Sequence, residues 1–128
     1  MPAQLNHTIV PAADAQASAT DLAEMLDLPA PRQFGHFWQV DIDNGDALDF
    51  ADHADADTRP QLHYAFLVSE EQFDATYGRI VERDIEHYAD PGGRRVNEIN
   101  THDGGRGVYW AGPDGHFYEI ITVPYGGW

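Results

Sequence analysis

Short runs of alternating apolar and polar residues occur along the chain, interrupted by two stretches whose apolar residues recur at helical spacing. Leu5-Asn6-His7-Thr8-Ile9-Val10 alternates, carries β-branched residues and runs into Pro11, which predicts a strand closed by the proline because proline has no N–H for a ladder. From 14 to 28, Ala15, Ala19, Leu22, Ala23 and Leu26 follow helical spacing, and Pro29 and Pro31 then stop the helix, leaving one packed and one wet face. Residues 36–42 and 47–51 alternate again on either side of Asp43-Asn44-Gly45-Asp46, the composition of a hairpin turn. Residues 52–59 are acidic and aperiodic and end at Pro60, which reads as a linker.

Beyond that linker the pattern restarts. Residues 61–68 read as a strand, and Ser69 with Gln72 three positions on forms a capping box that starts a helix. Phe73, Tyr77, Ile80, Val81 and Ile85 share one helical face. Residues 87–90 read as a short strand followed by the turn Pro91-Gly92-Gly93, and 107–110 and 117–123 read as two strands joined through Gly112-Pro113-Asp114-Gly115. Both halves share the order strand, helix, strands, an internal repeat in which His63 follows His7 by 56 residues. The expected organisation is one domain over 1–128, with module one over about 1–52, the linker over about 53–60 and module two over about 61–128.

Composition narrows the chemistry. A chain of 128 residues buries roughly two-thirds of its unfolded surface, enough for a core without staples. Without cysteine, thiolate nucleophiles, disulfides and thiolate-bound metals are excluded, so any metal sits on His, Asp or Glu. The first residues lack a basic and an apolar segment and no run approaches a membrane span, which makes the cytoplasm the expected compartment. All seven basic residues are arginine against 22 acidic ones, and a formal charge of −15 excludes nucleic acid and anionic membranes as partners. Asp43, Asp46, Asp49, Asp52, Asp55 and Asp57 form either a solvated loop or part of a surface adapted to high salt.

His7 and His63 occupy matching places in the two halves, and Glu119 lies in the last strand. Two imidazoles and a carboxylate suffice to hold Fe(II), Mn(II), Zn(II) or Ni(II) with positions left for substrate, provided the halves pack with pseudo-twofold symmetry and bring the strands together. Taken singly, each has a structural alternative: a hydrogen-bonded strand histidine, or a glutamate paired with Arg106. His53-Ala54-Asp55 with a distant histidine such as His102 imitates another metal motif, but it lies in the acidic linker and belongs to folds with more strands than 128 residues comfortably provide. His36, His87, His102 and His116 read as structural.

The phrase Gly112-Pro113-Asp114-Gly115-His116-Phe117-Tyr118-Glu119 resembles the D-P-D-G-H-x-x-E ending of vicinal oxygen chelate proteins, the glyoxalase, bleomycin-resistance and extradiol-dioxygenase superfamily. Gly112 stands where that family usually has Asp. With Leu5-Asn6-His7, residues 61–66 and residues 104–110, the resemblance spans nearly the whole chain. It implies an α+β fold of two βαβββ modules forming a curled mixed-sheet cup around one divalent metal, with His7, His63 and Glu119 as ligands. Glu119 is also the candidate catalytic base. Glyoxalase-type members use a fourth carboxylate near the end of the first half, and Asp49 stands at that place; the alternative is an outward-facing Asp on an acidic hairpin.

Arg106, Asn100, Tyr109, Trp110 and Tyr125 are candidates to line the cup. Arg106, flanked by glycines and followed by aromatics, reads either as a grip for an anionic or planar ligand or as a turn residue in a salt bridge. The resemblance implies a homodimer, which would also cover open sheet edges. It implies a metal acting as Lewis acid on vicinal oxygens of a small substrate, in isomerase, lyase or dioxygenase chemistry. The rival expectation is a metal-free sequestering protein of the bleomycin-resistance type, for which Trp38, Trp110, Trp128, Tyr64, Tyr118 and Tyr125 supply aromatic surface.

Overall fold

The computed structural model describes residues 2–124, and the chain divides into two units, residues 1–60 and 61–128. Each unit is a βαβββ module. In the first, β1 (His7–Ala12) leads through α1 (Ala15–Met25) to β2 (Arg32–Phe34), β3 (Phe37–Asp41) and β4 (Ala47–Asp52). In the second, β5 (His63–Leu67) leads through α2 (Glu70–Glu82) to β6 (His87–Tyr88), β7 (Gly107–Ala111) and β8 (Phe117–Ile121). The strand orders correspond, β1-β4-β3-β2 and β5-β8-β7-β6, with the first strand of each unit parallel to the last and at a sheet edge. This is the expected α+β architecture.

Pro11 does not close the first strand but sits inside it, opposite Ala51. The carbonyls of Asn6 and Ala12 accept bonds from the β4 side, so strand parity puts the Pro11 nitrogen on the outer edge, where no ladder bond is lost. Helix α1 also stops earlier than its prolines predict. Asp14 caps its start by accepting from the Ala17 N–H at 3.1 Å. At its end Asp27 takes φ 55°, while the N–H of Leu28 bonds to Ala23 and that of Asp27 to Glu24. Helix α2 ends in the same motif, with Asp84 at φ 55° and Ile85 bonded to Ile80, after the predicted Ser69 cap bonds the Gln72 N–H at 3.0 Å. Aspartate tolerates this left-handed position better than most residues, so both helices turn before any proline acts.

The packed face of α2 is rotated from its sequence stripe. Phe73, Thr76 and Ile80 are buried whereas Val81 is 55% exposed. In unit one, Val10, Leu22, Met25, Val40, Leu48 and Phe50 pack between α1 and its sheet; in unit two the core gathers Phe73, Ile80, Val108, Trp110, Tyr118 and Ile120. Burying each of these larger side chains contributes about 2–3 kcal/mol. Strand alternation sends the other set of side chains to the opposite face: His7, Ile9, Ala47, Asp49 and Gln39 in unit one, and His63, Phe117, Glu119 and Tyr109 in unit two.

The 112–115 turn forms despite its departure from the family pattern. The Gly112 N–H donates to the His116 carbonyl and Gly115 takes φ 86°. A Cβ at residue 112 would lie 2.3 Å from the Tyr118 ring, so the large aromatic occupies the space a side chain there would need. No helix among the described residues is long and apolar enough to cross a membrane.

Candidate functional site

Glu119 sits near the middle of β8, flanked by Ala65 on β5 and Tyr109 on β7, and is 1% exposed. His63, two residues before Ala65 on β5 and so on the same face, places its Nε2 3.0 Å from Glu119 Oε1 while keeping 46% of its side chain exposed. Metal–nitrogen and metal–oxygen bonds of about 2.0–2.2 Å meeting at a right angle give a donor–donor edge of about 3 Å. The donor pair therefore fits two adjacent ligands of one divalent ion as well as it fits a direct hydrogen bond. Tyr109 stacks against His63 with ring centroids 5.9 Å apart, and Phe117, itself stacked on Tyr109 at 5.6 Å, lies 6.4 Å from the imidazole at a tilt.

His116 fixes this geometry from beneath. It is fully buried, and its Nδ1 accepts the Leu62 N–H at 3.0 Å, tying the residue next to His63 to the β8 turn. The Phe117 N–H returns a bond to the Leu62 carbonyl. With Nδ1 accepting, the ring proton is on Nε2, and the Tyr64 ring stands edge-on at 5.9 Å.

A cavity of about 630 Å³ opens beside Glu119, its walls including Pro91, Asn100, His102, Tyr109, Ile121 and Val123. Of the residues expected to line the site, Tyr109, Asn100 and Arg106 border this cavity. Asn100 is also a clamp: its Nδ2 donates to the Ala89 carbonyl at 2.8 Å and its Oδ1 accepts the His102 N–H at 3.3 Å, holding the loop that forms the wall. Gly107 lies so close that a Cβ would meet Asn100 Oδ1 at 2.9 Å.

Arg106 borders the cavity but its guanidinium is committed elsewhere. It pairs with Glu70 at 2.7 Å and Asp74 at 2.8 Å on α2 and lies 4.3 Å above the Phe73 ring. The bond to Asp74 and then that to Glu70 raise its pKa, and Glu70 is lowered by the Thr122 hydroxyl and then by Arg106. This is the salt-bridge alternative rather than a free anion grip. Trp110 is a second correction: 1% exposed and stacked at a tilt on Tyr118, it faces the core because its parity is opposite to that of Tyr109 and Glu119. Tyr125 lies outside the described residues.

In unit one, His7 opens β1 and is exposed, with its Nδ1 2.7 Å from Asn6 Oδ1. An amide oxygen accepting from Nδ1–H leaves the Nε2 lone pair outward, the tautomer a metal ligand needs. Asp49 is not the outward-facing acid of a solvated hairpin: it is 5% exposed, and its Oδ1 accepts the Gln39 amide at 2.8 Å. His53 bonds Thr58 and Asp55 caps its own loop, so the rival His-x-Asp motif is spent on a turn. Among the described residues no three His, Asp or Glu side chains gather into one cage; the structure gives the His63–Glu119 pair in unit two and, separately, His7 in unit one.

The sequence signalled no role for Asn6 and Gln39 or for the apolar wall of Ile121 and Val123, whereas His116, read as structural, is a buried ring bonded to the Leu62 N–H. The wall was recoverable, since strand alternation repeats the face of Glu119 at every second position.

No protein-family model matches the chain, and no curated protein does. Among solved structures it is similar to Oxidase ChaP-H1, 55% identical over 98% of this chain and 100% of that one with a TM-score of 0.94. It is similar also to Oxidase ChaP-H2, 52% identical over 98% of both chains at the same TM-score of 0.94. A lactoylglutathione lyase from Agrobacterium tumefaciens shares the fold at a TM-score of 0.70 and 17% identity over 99% of this chain and 98% of that one.

Proposed function

The chain belongs to the vicinal oxygen chelate superfamily, and from that membership we propose that it is a divalent-metal-dependent enzyme acting on a small substrate with neighbouring oxygens, with oxidation as its reaction class. The observation that carries the reading is the approach of His63 Nε2 to Glu119 Oε1, 3.0 Å, beside an apolar-walled cavity. A buried carboxylate facing a half-exposed imidazole is costly as a mere ion pair and favourable as two ligands of a cation.

His7, whose Nδ1 is held by Asn6, is the third proposed ligand. When bound, a divalent ion supplies Lewis acidity and open positions for the substrate's vicinal oxygens. Around it the chain's own residues orient and enclose. Asn6 fixes the His7 tautomer, His116 holds the strand carrying His63, and Tyr109, Ile121 and Val123 keep water from the substrate's apolar part. Oxidation is favoured over isomerisation because two relatives above half identity are named oxidases. Glu119 is a ligand and, if it leaves the metal, a base.

Protein purified without chelator is expected to carry about one divalent ion per chain by elemental analysis, and His63→Ala to carry almost none while remaining folded by circular dichroism. Equal metal content in the two proteins would remove the ligand assignment.

A further inference from the structure

The residues that line the cavity of about 630 Å³ beside Glu119 all belong to unit two. Its size is that of a small-molecule site, for which about 300–1,000 Å³ is usual. Pro91, Tyr109, Ile121 and Val123 give it an apolar wall. Its polar residues fall into two sets. Asn100 has both amide atoms engaged, with the Ala89 carbonyl and the His102 N–H, while Glu70 and Asp74 hold the Arg106 guanidinium and Glu119 faces His63. The second set is His102 and Asp103, which begin a single 3-10 turn over His102–Gly104. Among the described residues neither of these side chains makes a hydrogen bond, an ion pair or a ring contact.

This turn is firmly mounted. Buried Asn100 accepts the His102 N–H at 3.3 Å, and the His102 carbonyl accepts from the Gly105 N–H at 3.0 Å. The backbones of Asn100 and Gly107 exchange both their bonds, at 2.9 and 3.0 Å. Asp103 takes φ 56°, a left-handed position that aspartate tolerates, and so reverses the chain at the cavity wall.

The chemistry of the pair is selective. A neutral imidazole has one donor and one acceptor, and a carboxylate has acceptors only. Together they suit a group that both accepts and donates a hydrogen bond, as a hydroxyl does. Charge disfavours an anion there: Glu119 and Asp103 are acidic, and the charge of Arg106 is balanced by Glu70 and Asp74.

We infer that His102 and Asp103 form a polar subsite for an uncharged hydroxyl of the substrate, whose apolar body lies against Tyr109, Ile121 and Val123. The subsite depends on the reading above only in that this cavity holds the substrate. The substrate class is then a hydroxylated, mostly apolar molecule with no carboxylate or phosphate at that end, and His102 and Asp103 are specificity determinants.

The test is equilibrium dialysis of naphthalene, 2-naphthol and 2-naphthoate against the purified protein, repeated in chelator, for wild type, His102→Leu, Asp103→Asn and Ile121→Ala. Wild type should bind 2-naphthol about tenfold more tightly than naphthalene, the factor one hydrogen-bonded hydroxyl contributes, and 2-naphthoate at least about tenfold more weakly than 2-naphthol. His102→Leu should bring the hydroxyl preference below about threefold without weakening naphthalene. Asp103→Asn keeps the shape and the left-handed backbone, and should tighten 2-naphthoate about threefold or more. Ile121→Ala should weaken all three probes alike. Full hydroxyl preference in His102→Leu overturns the subsite, as does wild type that binds 2-naphthoate as tightly as 2-naphthol. A preference that survives in His102→Leu but disappears in chelator assigns the hydroxyl to the metal and overturns it too. Wild type that binds none of the probes removes the cavity as the ligand site, and the subsite with it. Elemental analysis of the same samples separates the two readings: a failed subsite in wild type that carries metal leaves the metal centre standing, whereas metal-free wild type that shows these preferences keeps the subsite and removes the metal centre.

Discussion

Glu119→Gln is expected to weaken divalent-metal binding at least about 100-fold while lowering the stability of the metal-free protein by no more than about 1 kcal/mol. Glutamine has nearly the same shape, so the core formed by Tyr118 and Ile120 around position 119 keeps its packing. What changes is charge. A neutral amide is a poor ligand for a hard divalent ion, and the metal-free fold no longer buries a carboxylate that is 1% exposed. Isothermal titration with Zn(II) or Mn(II) and thermal melts in chelator measure the two halves of this prediction. Unaltered affinity would show that Glu119 is no ligand. A metal-free protein destabilised by several kcal/mol would show instead that the carboxylate serves the fold.

The second large effect is expected at His116, far less visible in the sequence than the ligands. His116→Ala removes a fully buried ring, leaves a cavity under Tyr64 and strands the Leu62 N–H without its acceptor. Cavity and orphaned donor together cost about 3–5 kcal/mol, a fall in Tm of roughly 10 °C or more. His116→Asn, whose amide oxygen can take the place of Nδ1, should recover part of that loss. Differential scanning calorimetry on both variants decides it, and equal, small losses below about 1 kcal/mol would contradict the positioning role. Since Leu62 precedes His63, metal affinity should fall with stability in His116→Ala and recover with it in His116→Asn.

Much of this architecture was legible because local signals and the repeat agreed. Ser69 with Gln72 announced the start of α2, and the glycine-proline turn before His116 announced the β7–β8 hairpin. The 56-residue offset of His7 and His63 put them at matching places in the first strands of the two units, β1 and β5. What stayed hidden depended on partners remote in sequence or on very short elements. Arg106 finds Glu70 and Asp74 more than thirty residues upstream, and nothing near Gly105 or Gly107 signals them. Asp49 looked like one more acid of an acidic hairpin, and only its pairing between Ile9 and Gln39 turns it inward. Strand β2 spans three exposed residues, too few for any period to register. Trp110 was misplaced for a different reason: aromatic character drew it into the candidate site although its alternation with Tyr109 and Ala111 assigned it to the core.

His63 and Glu119, as ligands of a catalytic ion with open positions, would differ measurably from the floor of a metal-free sequestering cleft. Titration of a catechol or hydroxamate into Co(II)-loaded protein, followed through the visible spectrum of the ion and repeated after chelator treatment, tests it most directly. A catalytic ion gives a ligand-dependent spectral change and binding that is lost when the metal is stripped. Unchanged affinity in the stripped protein, with no change in the Co(II) spectrum, would contradict it.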